Sequence, residues 1–182
     1  KIMNNLAAAI YKQGEEANSV EDYRTAADHF LRIATTAPGS EIRPIAQYDA
    51  ASALIHLSNW SEAASVLESF RDSYPEHELS AEATRQVAFV YREDGNLARS
   101  AEEYVRVADE AKELELRREA LLVAAELYEE AELITEALAT FDTYVTQFTK
   151  PIEPAVVARF KMAELFYEAG NEISRRSELE KI

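Results

Sequence analysis

The chain has no cysteine, so disulfides and thiolate metal sites are excluded, while the compartment stays open. Only 4 Gly and 5 Pro occur in 182 residues, and they are dispersed, leaving no Gly-rich phosphate loop, no GxGxxG and no GxSxG. No segment approaches the ~20 apolar residues that span a bilayer. Residues 1–17 do not read as a signal peptide, because the apolar run 6–11 is short and leads into Lys12, Glu15 and Glu16. Basic residues are scarce as well, 19 Lys and Arg against 34 Asp and Glu. The resulting net charge of -15 repels phosphate backbones and anionic lipid, which argues against nucleic acid and against membrane insertion or surface binding. His29, His56 and His77 are far apart and no HExxH occurs, so no metal and no cofactor is expected. What is present is a 47% hydrophobic composition, enough for a core. The first residue is not Met, which suggests a piece of a longer chain.

The scarce Gly and Pro act as punctuation. Pro38-Gly39, Pro44, Pro75, Gly95, Pro151, Pro154 and Gly170 separate apolar stretches, whereas Gly14 falls inside one. Between these marks apolar residues recur at steps of three and four, with no sustained alternation, so the chain reads as all-α. First helices are expected over 5–17, 43–57, 80–94, 116–131 and 154–169, and second helices over 20–36, 61–74, 98–112 and 135–149, with a truncated one from Glu172. Ser19 and Ser61 read as N-caps or near-caps.

A period organises these helices. Tyr23, Trp60, Leu97 and Ile134 each follow the last by 37 residues, as do Ala26, Ala63, Ser100 and Ala137, then Phe30, Leu67, Tyr104 and Phe141, and finally Ile33, Phe70, Val107 and Tyr144. On the preceding helix Ala51, Ala88 and Ala125 match, with Ala163 a further 38 on. A small residue followed four on by a large one is a helix face in close contact with a neighbour. The copies divide the chain at about 5–41, 42–78, 79–115, 116–153 and a partial 154–182, expected to form one solenoid domain. The register before Asn18 stays open.

These residues resemble the tetratricopeptide repeat: Leu54, Trp60, Ala63, Leu67, Phe70 and Pro75 follow its pattern, as do Tyr91, Gly95, Leu97, Ser100, Tyr104 and Val107. Lys112 and Thr149 depart from its closing Pro. The family's standard period of 34 is shorter, so three residues per repeat must enlarge the connection or lengthen a helix. Long repeats of this kind are similar to those of bacterial envelope proteins, such as the Tol-Pal-associated protein and the outer-membrane assembly lipoprotein. That likeness suggests the bacterial periplasm or envelope, with the cytoplasm as the alternative. The resemblance implies a right-handed α-solenoid of antiparallel helix hairpins, whose first helices line a concave groove.

By the same resemblance the groove carries Tyr48, Ser52 and Ile55, then Arg85, Phe89 and Arg92, then Leu122, Glu126 and Glu129, and last Phe160, Glu164 and Tyr167. The lysine and asparagine clamp of chaperone-binding members is missing, its positions held by Tyr48, Ser52, Arg85 and Phe89. Two readings of the arginines stay open: gripping an acidic segment through paired hydrogen bonds, or pairing with neighbours such as Glu82 or Glu126. The acidic end around Glu126, Glu129 and Glu164 invites a basic segment or is a solvated face. Carboxylate pairs such as Glu129 and Glu130 lack the contrasting environments of acid and base catalysis. Aromatics at repeat positions, Trp60 included, are expected to pack helix on helix. The function these features imply is a non-catalytic scaffold for a protein or peptide partner. The alternatives are a spacer segment with no ligand of its own and, more remotely, an enzyme or sugar-binding segment. The end of the chain, with Ile173, Leu179 and Ile182, reads as uncapped and open to end-to-end self-association.

Overall fold

The computed structural model describes residues 2–182, and among them ten α-helices and no strand. In order they are α1 (Ile2–Ser19), α2 (Tyr23–Thr36), α3 (Arg43–His56), α4 (Trp60–Ser73), α5 (Ser80–Glu93), α6 (Leu97–Glu110), α7 (Leu114–Glu130), α8 (Ile134–Gln147), α9 (Ile152–Glu168) and α10 (Glu172–Leu179). They form two compact units, α1 to α5 ending at Gly95 and α6 to α10 starting at Asn96. In each unit every helix packs against the next in sequence. Turns this short between packed neighbours make the neighbours antiparallel.

The turn inside each hairpin is the most regular feature. Glu21, Ser58, Gly95, Glu132 and Gly170 all have positive φ, at 61°, 54°, 77°, 59° and 71°. They repeat at the 37- and 38-residue period of the sequence. Each is the left-handed residue that ends a helix, its N–H donating to a carbonyl three residues back, as Ser58 does to Ile55 at 2.9 Å and Glu132 to Glu129 at 3.0 Å. The next N–H reaches five back, from Asp22 to Ala17, Asn59 to Leu54, Leu133 to Tyr128 and Asn171 to Phe166. This bond pair is the Schellman ending, which satisfies carbonyls that the helix leaves free. The residue making the second bond also begins the following helix: Asp22, Asn96 and Asn171 accept from the backbone N–H three positions on, at 3.2, 3.3 and 3.1 Å. The caps are therefore not the serines. Ser19 is the last residue of α1 and donates to the Glu16 carbonyl at 2.7 Å, and Ser61 lies inside α4.

The extra length of the repeat is used in both ways. In the first unit α3 and α5 have 14 residues and follow six-residue connections, 37–42 and 74–79. In the second, α7 and α9 have 17 residues and follow connections of three and four, 111–113 and 148–151. At every joint the second helix ends on a residue whose N–H bonds four back: Ala37 to Ile33, Tyr74 to Phe70, Ala111 to Val107 and Phe148 to Tyr144.

The core of the first unit is built on Ala26, Phe30, Ile33, Leu54, Ala63, Leu67 and Phe70, that of the second on Ala125, Ala137, Phe141, Tyr144 and Phe148. Gly14 supplies the register that the first repeat lacked: it stands 37 residues before Ala51, at the small position. A Cβ there would run into the Phe30 ring, three of whose carbons lie inside 3.0 Å of it. Trp60, the first residue of α4, is half-buried rather than a core residue, and its ring meets Phe89 edge to face at 6.2 Å. Tyr23, one repeat earlier, stacks on His56 at 4.5 Å.

The outer helices depart from the pattern by becoming polar. One buried row reads Ala46, Ala50, Ala53 on α3, then Ala83, Val87, Val90 on α5, Ala120, Ala124, Leu127 on α7 and Ala158, Met162, Leu165 on α9. The same row on α1 is Ala9, Gln13 and Glu16, all exposed. On α10, Glu172 stands in the row of Tyr23, Trp60, Leu97 and Ile134, and Arg176 in the row of Ala27, Ala64, Ala101 and Leu138. The two are ion-paired at 3.1 Å. Beside this charged row the apolar residues expected to lie uncovered do so: Ile173, Leu179 and Ile182 are 86%, 39% and 52% exposed.

The left-handed turns fix the sign of glycine exchanges. Ser58→Gly and Glu132→Gly should each raise unfolding free energy by about 0.5–1 kcal/mol, while Gly95→Ala should lower it by ~1 kcal/mol. The Gly95 effect is conformational, since nothing lies within 4 Å of a Cβ there. Urea denaturation of the three variants checks the signs. Gly14→Ala should cost about 1–3 kcal/mol despite alanine's better helix propensity, because the Phe30 ring must move. An unchanged melting temperature would contradict the close approach of α1 and α2.

Candidate functional site

In the first unit the first helices α1, α3 and α5 carry equivalent stripes. Tyr48 on α3 accepts a hydrogen bond from Gln86 on α5 at 2.8 Å, which fixes the two helices side by side. Its ring also meets Phe70 at 5.7 Å, and burial raises the pKa of its hydroxyl, with Glu82 adding to the shift. Arg85 is bound to Glu82 through Nε at 2.9 Å and through a shorter second contact, so the ion-pair reading of this arginine holds. Phe89 is 42% exposed, and Arg92 has no carboxylate partner among the described residues. Ile55 packs partly into the core.

Ser52 lies elsewhere than beside the arginines. It borders a cavity of about 320 Å³ between α1 and α3, lined also by Tyr11, Glu15, Asn18, Phe30 and Asp49. Tyr11, Glu15 and Asn18 stand 37 residues before Tyr48, Ser52 and Ile55, so they are the first repeat's stripe. Carrying the period back one step finds them; they are hidden in the sequence because Gly14 replaces the alanine that marks the register elsewhere. The Tyr11 hydroxyl donates to Asp49 Oδ2 in a very short hydrogen bond. Burial raises the pKa of Asp49, the Tyr11 bond opposes that shift, and repulsion from Glu15 adds to it.

In the second unit α7 and α9 bring their stripes together through Lys161, which stands outside the groove positions that the repeat pattern implies. Lys161 on α9 donates to Glu129 on α7 at 3.0 Å. Its pKa is raised, chiefly by that bond and further by the charges of Glu164 and Glu126. The acidic end therefore carries its own counter-ion. Leu122 packs partly into the core, while Glu126 and Glu164 are exposed. Phe160 and Tyr167 are 51% and 65% exposed and border a cavity of about 280 Å³ with Glu164, Arg175 and Leu179. The Arg175 guanidinium lies 5.0 Å from the centre of the Tyr167 ring.

Residues 45–77, the α3 and α4 hairpin, match the tetratricopeptide repeat family model TPR_6. Solved structures extend the likeness to the whole chain. The nearly identical TPR-like repeats of a Podosopora anserina protein assigned as a kinesin light chain share 15% identity and a TM-score of 0.52, over 100% of this chain and 94% of that one. A tetratricopeptide repeat protein from Parabacteroides merdae gives 13% and 0.57 over 96% and 78%. MamA from residue 41 onward, of Desulfovibrio magneticus RS-1, gives 13% and 0.53 over 98% and 94%. No curated protein matches the sequence. At such identities the likeness is one of fold, that of tetratricopeptide-repeat structures built from helix hairpins, with the repeat itself recognised at 45–77. Such folds are in general protein-interaction modules.

The raised pKa of Asp49 has a definite consequence for stability. A carboxyl whose folded pKa exceeds its unfolded value of about 3.9 favours the folded state only when protonated, so its unfavourable effect is present at neutral pH and disappears as pH falls below that value. Asp49→Asn, which keeps an acceptor for Tyr11, should therefore melt higher than the parent at pH 7, with the difference vanishing near pH 3. Thermal scans across that range check it, and a lower melting temperature at pH 7 would mean that Asp49 stabilises the fold as an anion.

Proposed function

We propose that the protein is a non-catalytic scaffold that holds a peptide or partner segment against the faces lined by its first helices. The observation that carries this reading is the exposure of Phe89, Phe160 and Tyr167 on stripes whose neighbours are fixed by Tyr48–Gln86 and Glu129–Lys161 hydrogen bonds. Large rings held half out of a rigid surface offer contact area at little entropic cost, and such side chains dominate protein interfaces. The tetratricopeptide fold supports the same class of function. Arg92 adds a charge free to meet a carboxylate, whereas Arg85 is engaged by Glu82.

Affinity capture from an extract of the source cell tests the reading. The parent is compared with Phe89→Ala/Arg92→Ala and with Phe160→Ala/Tyr167→Ala, each checked for unchanged helicity. A partner held by the parent should bind at least one variant about tenfold more weakly, which is ~1.4 kcal/mol. Capture of the same proteins, equally, by all three would favour the spacer reading.

A further inference from the structure

The first unit's face is electrically two-ended. At one end, between α1 and α3, Glu15 and Asp49 border the 320 Å³ cavity, and neither meets a cationic side chain among the described residues. The neighbouring acids are engaged: Glu16 pairs with Lys12, Glu62 with Arg24 and Glu82 with Arg85. Asp49 is half-buried and held in place by the Tyr11 hydroxyl, and Phe30 lies at the cavity wall. At the other end, on α5, Arg92 is a cation with no anionic partner among the described residues. One turn before Arg92 on the same helix stands Phe89, in the same repeat row as Glu15 and Ser52.

From this arrangement we infer that the first unit binds an extended segment of a partner protein in one charge register: a lysine or arginine seated in the α1/α3 cavity, an aspartate or glutamate on Arg92, and an apolar residue on Phe89 beside it. This rests on the scaffold reading above and names the partner chemistry for this face. An ammonium or guanidinium in the cavity would bring the missing positive charge to two carboxylates, with its alkyl stem against the aromatic wall. The spacing follows from packing. Neighbouring helix axes lie about 10 Å apart, so the path from the α1/α3 cavity to α5 is about 15 Å. At ~3.3 Å per extended residue, the two charged side chains of the partner are roughly four to five residues apart.

A display library of random dodecapeptides, selected on the immobilised 182-residue chain, tests this directly, whatever the partner's identity. Parallel selections use Glu15→Gln/Asp49→Asn, Arg92→Glu and Phe89→Ala, all verified as folded by helicity and melting. Peptides from the parent should show a basic and an acidic position four to five residues apart. The carboxamide variant should lose the basic preference about tenfold and keep the acidic one. Arg92→Glu should turn the acidic preference basic, a gain that a merely damaged surface cannot produce. A basic preference unchanged on the carboxamide variant, an acidic preference unchanged on Arg92→Glu, or peptides without charge pattern would each overturn the charge register while leaving the scaffold reading standing. Equal binding of the selected peptides to Phe89→Ala would overturn the proposed seat on this face and leave the scaffold reading standing, whereas selection of no peptide by the parent would overturn both.

Discussion

One left-handed residue sets each hairpin. Because its φ is positive, the preceding helix ends with both bonds of the Schellman arrangement, and the next residue starts the following helix. Everything inside the hairpin is then a fixed count from that pivot. Seven residues before it stands the small residue, Gly14, Ala51, Ala88, Ala125 or Ala163; nine after it stands the large one, Phe30, Leu67, Tyr104, Phe141 or Leu179. Seven residues is close to two helical turns, so the small side chain lies on the same face as the pivot, and in the hairpins inside each unit it admits the returning helix. Three of the five pivots are not glycine, so the conformation is imposed by the packing of the two helices rather than by the turn residue's own preference.

The stripes on the first helices inherit their alignment from this constraint. Since each first helix is locked to its own pivot, Tyr11, Tyr48, Arg85, Leu122 and Phe160 are equivalent positions, Glu15, Ser52, Phe89, Glu126 and Glu164 a second set, and Asn18, Ile55, Arg92, Glu129 and Tyr167 a third. The scaffold fixes where these side chains stand and leaves their chemistry free. Rows that must be buried are nearly uniform, alanine, valine, leucine or methionine, whereas the first-helix stripes mix aromatic, acidic, basic and small residues.

The period and the helix assignments were legible because burial forces repeated packing positions to repeat in type. Caps were less so: serine at 19 and 61 fits a capping preference, yet the pivot, one residue ahead of Asp22 and Asn59, decides where the helix begins. The first repeat's stripe was hidden by a single exchange of alanine for Gly14, made where the Phe30 ring comes close. Charge pairing was legible in part. Arg85 with Glu82 is a local pair three residues apart on one helix, but Lys161 with Glu129 joins residues 32 apart and needed the packing of α7 on α9. Trp60 shows the limit of composition: a tryptophan at a repeat position is only half-buried because it sits at the very start of α4.

The three residues moved from connection to helix in α7 and α9 also change the relief of the surface. At 1.5 Å per residue, a 17-residue helix is about 4.5 Å taller than the 14-residue α3 and α5. The added residues begin at Leu114 and Ile152, both well exposed, so α7 and α9, which carry the acidic and aromatic stripes, start in an apolar parapet that α3 and α5 lack. The bank formed by α7 and α9 therefore stands three residues higher above its own hairpin turns than that formed by α3 and α5, with a greasy crest.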